Sequence, residues 1–473
     1  MSISILNVHV YQILRRSKVS HFALQSKKVI VHAGDQSEMI AACIEIKGQL
    51  IHNIHPYGQA LDCPITDLGE QVLMPGLVDS HVHINEPGRT EWEGFNTATQ
   101  AAAAGGITTL VDMPLNCIPV TTTKAAFEEK LASVHDKLWV DCGFWGGVIP
   151  DNIDELDDLL TAGVLGVKSF LIDSGIEEFP NVAAKDIRAA MPILAKHDVP
   201  YLIHAELDCG SFDDVKITDK YNSFLESRPK SWENNAISLM VDMARESKAA
   251  GDNCKIHIVH LSSDEALDTI AKAKAEGLRF TAETCPHYLT IASENIPDGK
   301  TLFKCCPPIR ENKNREQLWQ AVTDGRISFI VSDHSPCTPQ LKHIDTGDIE
   351  KAWGGISALQ FGLPLIWTEA KNRDFTLVDL ARLMSHETAK FAGLDKIKGQ
   401  ISVGHHADLM VFDDTASFII STDMIKHKHK ITPYVGRKVD GQIMQTFVRG
   451  QQVYCNDQFI SSPIGRPLLK GQL

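Results

Sequence analysis

Eight short apolar runs, separated by stretches with helical spacing, constrain this chain more than any other feature. The runs are Leu77–His83, Thr108–Pro114, Val140–Gly146, Gly166–Ile172, Tyr201–Glu206, Lys255–Leu261, Phe280–Cys285 and Ile327–Asp333. Helical patterns lie between them, such as Thr123–His135, Ile153–Ala162, Val182–His197, Trp232–Ala250, Asp264–Gly277 and Glu316–Gly325. A short strand that is apolar along its length must be covered on both faces. A helix between consecutive strands makes them parallel. Eight such units predict an α/β fold, a (β/α)8 TIM barrel, over residues 74–399. An open doubly wound sheet finds no support, because no G-x-G-x-x-G follows the early strands.

The flanks have a different texture. Residues 22–73 and 400–460 are β-rich and punctuated by turn residues such as Asn53, Gly58, Gly441 and Gly450. Neither flank is long enough to bury a core alone. The expectation is one small β domain built from both ends of the chain. Residues 1–21 read as an N-terminal extension. No acid precedes Asp35, and Arg15, Arg16, Lys18, Lys27 and Lys28 make the stretch basic, as in an organelle transit peptide. The compartments this leaves are the mitochondrion or the cytoplasm.

Composition excludes several classes of partner. The net charge of −14 opposes nucleic-acid binding, which rests on Lys and Arg against phosphate. No apolar run reaches the ~18 residues of a membrane span. The 11 cysteines include no C-x-x-C pair, and Cys43, Cys142 and Cys254 sit in apolar runs. They read as small buried hydrophobes in a reducing compartment, not as a disulfide framework.

With 20 histidines in 473 residues, random placement gives roughly one H-x-H pair. The chain has His81-Val82-His83 and His427-Lys428-His429. The second lies in the Lys426–Lys430 run and reads as a solvated or interface charge cluster. The first ends an apolar strand, where residues two apart face the same side. Both imidazoles would then point into the barrel mouth, where active sites of this fold lie. Later runs end in Lys168, His204, His260 and Asp333. Any one of these is more often a satisfied polar group than a ligand. Six such groups aimed at one mouth favour a shared metal centre.

These residues, with the runs around them, resemble the binuclear metal-dependent cyclic amidohydrolases. That group holds dihydroorotases, dihydropyrimidinases or hydantoinases, and allantoinases. The similarity spans nearly the whole chain after about residue 22. It rests on Asn85–Gly94 (NEPGRTEWEG), Asp112–Asn116 (DMPLN), Lys304–Arg310 (KCCPPIR), Ser332–Cys337 (SDHSPC), Ala352–Ile356 (AWGGI) and Lys398–Leu409 (KGQISVGHHADL). The resemblance implies two Zn²⁺ ions per subunit, held by His81, His83, Lys168, His204, His260 and Asp333. An ammonium has no lone pair, so Lys168 would act as N6-carboxylysine, a carbamate bridging both metals. Asp333 would be the catalytic acid and base. A homotetramer is also implied.

Among the branches of that family, the segments fit the allantoin-opening one. Dihydroorotase-like members bind a substrate carboxylate with an Arg two residues after H-x-H, and here that position is Asn85. Allantoin is an uncharged hydantoin with a ureido arm, which amide and backbone groups suffice to bind. Asn85, Asn116, Cys306 and Ser335 are the candidate substrate contacts. Arg89 is expected to hold its loop through Glu91 or Glu93. The expected reaction opens the hydantoin ring of (S)-allantoin to allantoate, in purine degradation. A dihydropyrimidinase or hydantoinase is the alternative. A metal-free scaffold is a third reading, opposed by the intact ligand set.

Overall fold

The computed structural model describes residues 21–33, 36–210 and 215–472. The basic N-terminal extension lies outside the described residues as far as residue 20. Within them each predicted apolar run forms a strand. The eight are Leu77–Val82, Ile107–Asp112, Asp141–Phe144 continuing as Gly146–Gly147, Val167–Phe170, Pro200–His204, Lys255–Ile258, Phe280–Thr284 and Phe329–Ile330. All adjacent pairs are parallel. The third strand breaks at buried Trp145, whose indole N–H donates to the Ser80 carbonyl at 2.8 Å. Its first half pairs with strand two and its second with strand four. The ring closes where Val82 bridges His334 in parallel, with His83 N–H donating to the His334 carbonyl at 2.8 Å. This is the TIM barrel.

The helices bury one stripe each against the strands. Lys230–Ala250 starts after Pro229 and stops at Gly251, whose φ of 91° suits a residue without Cβ. Its buried side chains include Trp232, Ala236, Ile237, Met240, Val241 and Ala244, at the three- and four-residue steps of an amphipathic helix. Helices also form at Phe95–Ala104 and Gly362–Ala370, which the sequence reading did not single out.

The chain ends build a second, largely antiparallel sheet of nine strands. Val72–Pro75, buried throughout, lies at the seam. It runs parallel to Lys28–Val29 on one side and antiparallel to Leu409–Phe412 on the other. An ionic cluster fastens this sheet to the barrel. Buried Lys398 Nζ lies 2.6 Å from Asp141 at the start of barrel strand three and 2.5 Å from Asp408. Arg449 pairs with the other oxygen of Asp141. The C-terminal tail then returns to the barrel, with Leu468 N–H donating to the Cys142 carbonyl at 2.8 Å. No disulfide joins any of the 11 cysteines, and no helix among the described residues is long and apolar enough to cross a membrane.

Candidate active site

All six predicted metal residues are buried. Five stand at or just beyond the carboxyl ends of barrel strands, whereas Lys168 is the second residue of Val167–Phe170 and not at its end as expected. His81 and His83 share a face by the strand period. His260 and Asp333 follow their strands with φ of 38° and 45°, left-handed values that non-glycine residues rarely adopt. Such strain is characteristic of functional positions, because the sharp turn aims each side chain inward. One donor atom each from His81, His83 and Asp333 lie within 4.8 Å of one another. His81 Nε2 is 3.3 Å from Asp333 Oδ1 and 3.3 Å from Lys168 Nζ. His204 Nδ1 is 3.0 Å from His260 Nε2. The rings of His81 and His260, 5.4 Å apart, bring the two halves of the set together.

Outer partners decide which ring nitrogens face the centre. His83 Nδ1–H donates to the Leu115 carbonyl at 2.9 Å, leaving Nε2 as the lone pair. His81 Nδ1–H is taken by the carboxylate of Glu283. His204 Nε2–H is taken by Glu206 at 2.8 Å, leaving Nδ1 toward His260. A second ring nitrogen fixed by a carboxylate or carbonyl is the ordinary support of a metal-ligating histidine. His260 Nδ1 is buried without a partner among the described residues. Burial, with Lys168 adding to it, holds His81, His83 and His260 well below the usual imidazole range, so they stay neutral with lone pairs free. Neutral imidazoles and a carboxylate converging this closely are a fitting donor set for divalent cations.

Burial also pulls Lys168 down to about 8, against the attraction of Asp333 and Glu283. It pushes Asp333 up to about 8, with Glu283 and Asp79 adding to the rise and Lys168 opposing it. The apolar pocket therefore disfavours the bare ammonium–carboxylate pair that these two residues would otherwise form.

Two supporting carboxylates escaped the sequence reading. Glu283 touches His81 and also lies 3.1 Å from His257 Nε2. Glu206 receives Arg228 through Nε at 3.0 Å and Nη2 at 2.6 Å, so Arg228, Glu206 and His204 form one chain. Burial opposes ionisation of Glu206, but the Arg228 guanidinium and His204 overcome it and hold the carboxyl at about 2. Glu206 ends its apolar run, so the strand-end argument that marked the candidate ligands could have found it; Glu283 lies two residues short of the end of Phe280–Cys285.

A cavity of about 580 Å³ opens over the centre, lined by His83, Lys168, His204, His260 and Asp333 at its floor. Phe170, Arg228, Trp232 and Trp353 wall it, and Asn116, Cys306 and Ser335 line it. Gly355 brings a loop onto this wall. A Cβ there would lie 2.3 Å from the Ser335 carbonyl oxygen. Asn85 does not line the cavity. It stands one layer behind, receiving Asn116 Nδ2–H on its Oδ1 at 3.2 Å and donating to the Pro336 carbonyl at 3.2 Å.

Two sequence expectations need correction. Arg89 holds its loop through the Asn116 carbonyl at 2.8 Å and Glu178 at 3.1 Å, not through Glu91 or Glu93. Glu93 is instead buried beside His334, 3.4 Å from its Nε2. His427 is not solvated: it is fully buried, its ring 5.3 Å from that of His334. Lys428 N–H donates to Glu93 at 3.1 Å and Lys428 Nζ to the Thr90 carbonyl at 2.6 Å, drawing the run against the loop so that His427 turns inward.

Residues 72–453 match the amidohydrolase family model. An allantoinase of Saccharomyces cerevisiae is 48% identical over 401 residues, covering 84% of this chain and 86% of that protein. A mitochondrial allantoinase of Aquarana catesbeiana is 48% identical over 386 residues, covering 81% of this chain and 77% of its own. Among solved structures, an L-hydantoinase (dihydropyrimidinase) from Arthrobacter aurescens superposes with a TM-score of 0.88 at 26% identity, covering 95% of this chain and 99% of that one.

Proposed function

The chain belongs to the amidohydrolase family, and from that membership we propose that it is an allantoinase, opening the hydantoin ring of (S)-allantoin to allantoate. The observation that carries the reading is the convergence of His81, His83 and Asp333 within 4.8 Å at the barrel mouth, beside Lys168. The two allantoinases at 48% identity support allantoin as the cyclic amide over a dihydropyrimidine.

His81, His83 and Asp333 would hold one Zn²⁺ and His204 and His260 the other, with Lys168 between. Two divalent ions so held supply a Lewis acid for the amide carbonyl and a means of deprotonating water near neutral pH. Burial lowers Lys168 to about 8, which raises the share of the neutral amine, the form that adds to CO2 with loss of a proton. The resulting carbamate replaces a cation in the pocket with an anion and two oxygen ligands. Asp333 takes the proton of the attacking water at its carboxylate and delivers it to the departing ring nitrogen. Asn116, Cys306 and Ser335 line the space above and would hydrogen-bond the ring and its ureido arm. Asn85 supports this by holding the Asn116 amide. Glu283 and Glu206 keep His81 and His204 in the tautomers the ligand set needs.

The same reading takes the subunit as part of a homotetramer, in purine degradation. It places the enzyme in the mitochondrion or cytoplasm, supported by the basic N-terminus and the name of the frog relative. The test is hydrolysis of allantoin by the purified chain supplied with zinc and bicarbonate, read as allantoate. Turnover of hydantoin and dihydrouracil without turnover of allantoin would move the protein to the dihydropyrimidinase branch.

A further inference from the structure

Away from the barrel mouth, a second set of metal-binding side chains meets on the sheet built from the chain ends. Glu45 lies on Gln36–Lys47, opposite Ala23 on one neighbouring strand and Asn53 on the other. His21 sits opposite Lys47, and His55 opposite Cys43. Both are therefore diagonal neighbours of Glu45 on the same face, within reach of a long side chain. This face is turned away from the apolar core of Phe22, Leu24, Ile44 and Ile46. Glu45 Oε1 is 2.7 Å from His21 Nε2, and its Oε2 is 2.8 Å from His55 Nε2. The segment over residues 57–64 folds across the face, tied by Ala23 N–H donating to the Pro64 carbonyl at 2.9 Å. It carries Cys63 in, so that one donor atom each from His21, Glu45 and Cys63 lie within 4.8 Å of one another.

We propose that His21, Glu45 and Cys63 form a second metal site, taking a borderline-soft divalent cation of the Zn²⁺ class, with His55 orienting the carboxylate. One nitrogen, one oxygen and one sulfur donor suit Zn²⁺, Co²⁺ or Cd²⁺ and disfavour Mg²⁺ and Ca²⁺, which take oxygen alone. Three protein ligands leave a fourth tetrahedral position for water. His55 does for Glu45 what carboxylates do for ligating histidines elsewhere, fixing the direction of the donor. All four side chains are partly exposed, so a cation can enter without rearrangement of the core. Ligand atoms around Zn²⁺ stand about 3.3 Å apart, so the His21–Glu45 hydrogen bond opens by roughly half an ångström on binding. Burial and the neighbouring Glu45 carboxylate keep the free Cys63 thiol protonated, and binding releases that proton. None of these residues belongs to the catalytic centre, so turnover is expected to be unaffected by their loss.

The full-length enzyme is loaded with Zn²⁺, dialysed, and its metal content per chain measured beside Cys63→Ala and His21→Gln. Each variant is expected to hold one equivalent less than the wild type while keeping its activity. With Co²⁺ as probe, the wild type is expected to show a thiolate-to-cobalt charge-transfer band that Cys63→Ala lacks. A third readout needs no variant: Zn²⁺ is expected to slow alkylation of Cys63, followed by peptide mass spectrometry, by about tenfold or more. Equal metal content with identical cobalt spectra, or an alkylation rate unchanged by Zn²⁺, overturns the proposal and leaves a cluster of ion pairs.

Discussion

Replacing Glu206 with Gln is the sharpest probe of how this barrel holds its histidines. Three donors converge on the two Glu206 oxygens. Arg228 Nε lies 3.0 Å from Oε1, while Arg228 Nη2 at 2.6 Å and His204 Nε2 at 2.8 Å share Oε2. The carboxylate is completely buried, and the Arg228 side chain is 19% exposed. Glutamine offers one acceptor oxygen. The rotamer that keeps the shared position sets its NH2 against Arg228 Nε, so a charge-assisted hydrogen bond worth about 1.5–3 kcal/mol becomes a clash of donors. The largely buried guanidinium then loses the carboxylate it is bonded to, and losing one partner of such a pair costs up to about 3–5 kcal/mol. The larger figure governs, because the donor clash is part of it. At His204 the neutral amide oxygen still accepts from Nε2–H but pulls less electron density toward the ring. Disturbing such an outer partner lowers metal affinity about 10–100-fold. Competition with a chromophoric chelator reads the affinity, and denaturant unfolding of the metal-free protein reads the stability. A second variant, Glu206→Leu with Arg228→Met, removes both charges and is expected to cost much less than the single change predicts by addition. If Glu206→Gln binds metal as tightly as the wild type and unfolds at the same denaturant concentration, the Arg228–Glu206–His204 chain does not support the site.

Three further outcomes follow from the geometry. Lys168→Ala is expected to lose bound metal and turnover together, with acetate or propionate restoring part of both; metal retained without rescue would exclude a bridging carbamate. Asp333→Asn is expected to keep at least one metal while kcat falls about 10²–10⁴-fold, and near-normal kcat would remove Asp333 from proton transfer. Lys398→Met strips the cation between Asp141 and Asp408 and is expected to destabilise the fold by about 3–5 kcal/mol. Burial raises the Asp141 carboxyl, but Lys398 and Arg449 outweigh it and hold the group below its ordinary 3.8. Its contribution is therefore complete above that value and lost as the pH falls through the lower folded one. Acid titration of stability in Lys398→Met is accordingly expected to be shallower than in the wild type, and equal slopes would refute the assignment.

Much of this molecule is a local property of its sequence. Strand order followed from apolar runs a few residues long, because a strand covered on both faces shows its burial in every residue it contains. Most of the candidate ligand positions were legible because the carboxyl end of a parallel strand can be recognised within that strand, and every such end opens at one barrel mouth; Lys168 sits second in its four-residue strand instead. The same rule could have reached Glu206, but nothing local says which histidine each supporting carboxylate serves. Glu283 lies 202 residues from His81 in sequence, and only barrel closure makes them neighbours. The choice of Glu178 as the partner of Arg89 was likewise decided through space, since side-chain pairing depends on which loops the barrel brings together. His427 shows the limit most plainly. A histidine among lysines carries the local signature of solvent, yet backbone and ammonium bonds to Glu93 and Thr90 turn it into the interior. Tertiary structure alone decided that, because burial is set by what packs on a segment from elsewhere in the chain.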